Sequence, residues 1–138
     1  MAGLVPRAVL VTAAILALGA AGCGRGGDAA TARTVTDGFF AALAAGDGER
    51  ACAQLSADTR AALESQEEAS CSDAISGLDL AGAQVTRVRV FVTNALVELA
   101  NGDAAFLDHG RQGWRLSAVG CTPEGEPTDR PFDCELEA

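Results

Sequence analysis

At Gly82 the spacing of apolar residues changes from helical to extended, and this switch limits the fold more than any other part of the sequence. Before it, Val35, Phe39 and Leu43 recur every four residues, with Phe40 widening the stripe and Asp37 in the first turn. That pattern predicts an amphipathic helix over about Thr34 to Ala45, ended by Gly46. Asp47 then caps a short helix carrying Ala51, Cys52 and Leu55. Ser56 caps another from Ala57 to about Glu68, with Asp58 in its first turn and Leu63 facing inward. One more turn is expected over Ser70 to Ser76, which holds Cys71 and Ile75.

Beyond Gly82 the alternation has a period of two. Thr86, Val88, Val90 and Val92 are expected on one face of a strand, and Val85, Arg87, Arg89 and Phe91 on the other. Ala95 to Leu99 reads as a second strand, Asn101-Gly102 as a two-residue hairpin, and Ala104 to Leu107 as a third strand. After a longer turn from Asp108 to Gly113, Trp114, Leu116 and Ala118 alternate with Arg115, Ser117 and Val119 in a fourth, and Phe132 to Leu136 supplies an edge strand. Helices first and an antiparallel meander afterwards define an α+β domain with the helices on one face of the sheet.

Ahead of this domain lies an apolar run, Val9 to Cys23, behind Pro6 and Arg7 and closing in Leu18-Gly19-Ala20-Ala21-Gly22-Cys23. A charged start, a greasy middle and small residues at the end have the layout of a secretory signal. The run resembles a bacterial lipoprotein signal, which implies cleavage after Gly22 and acylation of Cys23. It falls short of the about 20 continuous apolar residues of a membrane-spanning helix. Cysteine parity agrees: there are five cysteines, and acylation of Cys23 leaves four to pair. The expected organisation is a signal over 1–22, a flexible tether over 23–33 rich in Gly, Ala, Asp and Thr, and a single domain over 34–138. As a random coil, a tether of about ten residues spans roughly 18 Å. The chain is therefore expected on the outer face of the cytoplasmic membrane, held by lipid.

Charge excludes some partners. Arg7 is the only charged residue before Cys23, so nine basic side chains face nineteen acidic ones in the remainder, a net of −10. Nucleic acid, and purely electrostatic docking on anionic lipid, are not expected of such a chain. All its basic residues are arginines.

Candidate chemistry is sparse: there is no tyrosine, no lysine and a single histidine. Asp108-His109 is the one acid–imidazole pair, but neighbours on a strand point to opposite faces, and Gly110 after them favours a turn. Asp103 and Glu98 read as solvent-facing charges. Zinc sites use close pairs of ligands, whereas the cysteines are spaced widely, and the acidic tail from Glu124 to Glu137 lacks calcium-loop spacing, so no metal or cofactor is expected. Chain order favours disulfides between Cys52 and Cys71, both in the helical lead, and between Cys121 and Cys134, where the second closes a polar tail.

The segment Phe39-Phe40-Ala41-Ala42-Leu43-Ala44-Ala45-Gly46-Asp47, the cysteine-bearing short helix, the Asn101-Gly102 turn and Gly113-Trp114-Arg115-Leu116 carry a further resemblance. Together, over about Thr34 to Gly120, they are similar to the nuclear transport factor 2-like, or cystatin-like, superfamily, and in particular to small actinobacterial lipoproteins within it. The resemblance implies a curved sheet closing a cone, with a pocket that Phe39, Leu43, Val90, Phe106 and Trp114 would line. It implies either a non-catalytic binding or interaction module for a small apolar ligand or an envelope protein, or a secreted isomerase or dehydratase. The missing tyrosine favours the module.

Overall fold

The computed structural model describes residues 25–124 and 132–138. The expected signal over 1–22 and Cys23, the residue expected to be acylated, lie outside the described residues, as does the stretch over 125–131. Four helices precede the sheet: α1 (Arg25–Ala44), α2 (Gly48–Cys52), α3 (Ala57–Glu67) and α4 (Cys71–Ala74), the last continuing into a 3-10 turn over Ile75–Gly77.

Helix α1 begins inside the segment expected to be a tether. Its first turns are poor in large apolar residues, so local propensity does not account for them; tertiary contacts do. Ala32 is fully buried, the Trp114 indole Nε1 donates to Asp28 Oδ1 at 3.2 Å, and Arg33 Nη1 donates to the Val85 carbonyl at 2.8 Å. At the other end, Gly46 takes a φ of 69° that glycine adopts without strain. The Asp47 amide reaches back to the Ala42 carbonyl and the Gly46 amide to that of Leu43, which is a Schellman closure. Asp47 and Ser56 cap α2 and α3 by accepting from the amides of Arg50 and Thr59, as the sequence predicts.

The sheet is a five-stranded antiparallel meander in the order β1 (Val85–Phe91), β2 (Asn94–Leu99), β3 (Ala104–Gly110), β4 (Gly113–Pro123) and β5 (Phe132–Glu137). It is open, with β1 and β5 at its edges. The turns differ from expectation. Asn101-Gly102 sits in a four-residue connection, Ala100 to Asp103. The tight links are Val92-Thr93, between paired Phe91 and Asn94, and Arg111-Gln112, between paired Gly110 and Gly113. β3 therefore extends through Asp108 and His109, which were expected in a turn, and Val92 leaves the strand to which its alternation assigned it.

Bulges also reassign faces. Val85 pairs with Leu99 and Arg87 with Glu98, so Thr86 is an extra residue. Val85 thereby joins Val88 and Val90 on the helix-covered side instead of sharing a face with Arg87 and Arg89. In β4 the pairings Leu107 with Leu116 and Phe106 with Ala118 leave Ser117 extra, and a second shift follows before Cys121. Val119 then faces the core with Trp114 and Leu116, while Ala118 turns to the outer face.

The core lies between the helices and one face of the sheet, around Phe39, Leu63, Ile75, Val97, Leu107, Leu116, Val119 and Leu136. A smaller cluster occupies the other face, where Phe106 and Phe132 meet edge to face with centroids 5.1 Å apart beside Leu96, Ala104 and Ala118. Each layer holds a disulfide: Cys52–Cys71 joins α2 to α4 (Cα–Cα 6.1 Å), and Cys121–Cys134 ties β4 to β5 across the outer face.

Candidate functional site

Among the described residues, a concavity lies where the C-terminal half of α1 meets the connection from α4 to β1. Their helical spacing puts Asp37, Phe40, Leu43 and Ala44 of α1 along one side of it. The opposite wall is Ile75 to Gln84. This stretch is mostly without regular structure, and Leu80 bonds back to the Leu78 carbonyl at 3.0 Å in a tight local turn. Gly82 lets the two walls approach, for a Cβ there would stand 3.0 Å from the Phe40 Cβ. The space enclosed is about 730 Å³, open on one side.

Its lining is mixed, with nearly as much polar as apolar surface: the side chains of Phe40, Leu43, Ile75, Leu78, Leu80 and Ala83 stand beside Asp37, Ser76 and Gln84. The Ser76 hydroxyl donates to the Ser72 carbonyl, and the Gln84 carbonyl is taken by the Ala100 amide. Such a site offers an apolar patch bordered by polar surface, and its size falls in the range of small-molecule pockets.

Of the five residues expected to line a pocket, the structure places only Leu43 in this one. Phe39 is fully buried and Trp114 is 2% exposed, so both fill the core beneath the sheet rather than border a space. Val90 packs on that core from β1, and Phe106 lies on the opposite face of the sheet against Phe132. Phe40, Leu78 and Leu80 were not foreseen as lining. The adjacent Phe39-Phe40 pair was the available signal, since consecutive residues on a helix diverge by about 100° and Phe40, at the edge of the stripe, packs on the core only in part.

The titratable residues do not converge. Asp108 accepts a hydrogen bond from the Asn94 side chain, while His109 meets the Trp114 ring edge-on at 5.0 Å, on the other side of β3. Glu98 is engaged by Arg89 at 2.8 Å and Arg87 at 4.0 Å, and Asp103 accepts from Asn101 at 2.7 Å. Among the described residues no three His, Cys, Asp or Glu side chains gather as metal ligands, and no helix is long and apolar enough to cross a membrane. Compared with known proteins, the chain matches no family model, no curated protein and no solved structure.

Proposed function

We propose that the chain is an exported, lipid-anchored, non-catalytic binding protein of nuclear transport factor 2-like type, whose groove between α1 and residues 75–84 takes a small apolar ligand. The groove is the observation that carries this reading. Its apolar patch and volume of about 730 Å³ suit a molecule with an acyl or ring portion, and Asp37, Ser76 and Gln84 suit its polar end. Helices packed on one face of an antiparallel meander support the superfamily, although the sheet is open rather than closed into a cone. The anchor rests on the sequence at Leu18 to Cys23. No side-chain pair in the groove offers an acid and a base to one bound atom, which favours binding over isomerase or dehydratase chemistry.

Ala44 is exposed and borders the groove without entering the core, so Ala44→Trp fills the space while sparing the fold. Titration of the full protein in vesicles with a fluorescent fatty-acid analogue is expected to show saturable binding, weakened about tenfold or more in the variant, equivalent to about 1.4 kcal/mol. Absence of saturable binding, or equal affinity in both proteins, overturns the reading.

A further inference from the structure

The tip of the β1–β2 hairpin is unlike the rest of the surface. Phe91 is 54% exposed and Val92 94%, the exposed large apolar side chains among the described residues. Val92 has a φ of 51°, a left-handed conformation that a β-branched residue adopts only at a cost. An apolar pair exposed to water on a turn with a positive φ is the kind of feature that a contact surface would use.

Hydrogen bonds and packing place this tip at the same pole as the start of α1. The His109 amide donates to the carbonyl of Thr93 in the turn at 2.7 Å, the His109 ring lies against Trp114, and the Trp114 indole donates to Asp28 in the first turn of α1. Cys23 precedes the first residue of α1 by two positions, a reach of at most about 7 Å. A lipid on Cys23 therefore brings the bilayer to the pole that carries Phe91 and Val92.

We propose that Phe91 and Val92 dip into the interface of the membrane to which the chain is anchored, a second contact that fixes the orientation of the domain. This rests on the lipid-anchored reading. The driving force is apolar burial in the headgroup region and not charge. Two carboxylates at this pole are engaged, Asp28 by Trp114 and Asp108 by Asn94, and Asp58 lines one depression together with Arg111 and Arg115. Exposed Arg111, on the neighbouring turn, is placed to meet headgroup phosphates. With this pole down, the β2–β3 turn at Ala100 points away, about 20 Å off along the strands.

The test uses the full chain, acylated in a bacterial host and reconstituted in phosphatidylcholine–phosphatidylglycerol vesicles, with a nitroxide at Val92→Cys or, as control, at exposed Ala100→Cys. Mass spectrometry of the N-terminal peptide reports acylation in the same samples. Collision with a water-soluble nickel complex is expected to fall several-fold at position 92 relative to 100, and collision with oxygen to rise. An acylated protein whose position 92 remains as accessible to nickel as position 100 overturns the membrane contact alone. Spin–spin broadening at 92 assigns the tip to a second copy and also overturns it. A chain that carries no acyl group overturns the anchor and this inference together.

Discussion

Val92 is the residue at which local cost is plainest. In the Val92-Thr93 link the first residue has a positive φ, which in two-residue hairpin turns usually falls to glycine or asparagine. A left-handed L-residue costs about 1–2 kcal/mol, and a nearly fully exposed valine recovers none of it by burial. Val92→Gly relieves the strain but adds freedom to the unfolded chain, so a net gain of about 0.5–1 kcal/mol is expected from urea unfolding. A loss of stability would show that the turn is not strained as described. Where a sequence departs from the cheapest residue without compensation from packing, the compensation is sought in function, and an interfacial valine supplies one. Phe91 fits the same logic, since its ring adds no burial to the core on the helix side of β1.

At the scale of elements, the two disulfides hold unlike things. Cys52 and Cys71 are almost wholly buried and join α2 to α4 within the main core, closing a loop with a sequence separation of 19. The chain-entropy estimate for such a loop is about 3 kcal/mol, and Cys52→Ala with Cys71→Ala is expected to lower global stability by about that much. Cys121–Cys134 clips an edge strand that is also tied by its pairing to β4, the Phe132 contact with Phe106 and the burial of Leu136. Cys121→Ala with Cys134→Ala is expected to speed amide exchange in β5 while leaving α2 and α4 protected, and uniform acceleration would contradict that division. The helices after Gly46 were legible because their caps are local: Asp47 and Ser56 need only the residues that follow them. Strand existence was legible from alternation, but bulges at Thr86 and Ser117 shift faces mid-strand, and no period in the sequence announces them. The early turns of α1 were illegible for a similar reason, since Asp28 meets Trp114 and Arg33 meets Val85 across more than fifty residues. The groove escaped because one wall, Leu78 to Gly82, has no regular structure, and large side chains such as Phe39 and Trp114 were better core fillers than pocket walls.

For the molecule as a whole, charge is the property that a single measurement can interrogate. From Cys23 onward nine arginines stand against nineteen carboxylates, a net of −10. Among the described residues the ion pairs engage only Asp47 and Glu98 on the acidic side, and both pairings to Glu98 are on the exposed face of β1 and β2. Exposed pairs of this kind contribute little, so the summed field is dominated by repulsion between carboxylates spread over the helices and the strands. Compaction brings these charges closer than they are in the unfolded chain, and screening reduces the resulting penalty more in the folded state. Stability is therefore expected to rise with salt. Between 10 mM and 200 mM sodium chloride the Debye length falls from about 30 Å to below about 8 Å, which covers most separations across a domain of this size. A gain of about 0.5–1 kcal/mol corresponds to an increase in Tm of about 2–6 °C. Calorimetry at the two salt concentrations, repeated in sodium fluoride to separate screening from ion binding, provides the check. A Tm that falls with salt would mean that attraction between the arginines and their neighbours outweighs repulsion, and that the acidic surface is an organised network rather than a set of mutually repelling charges.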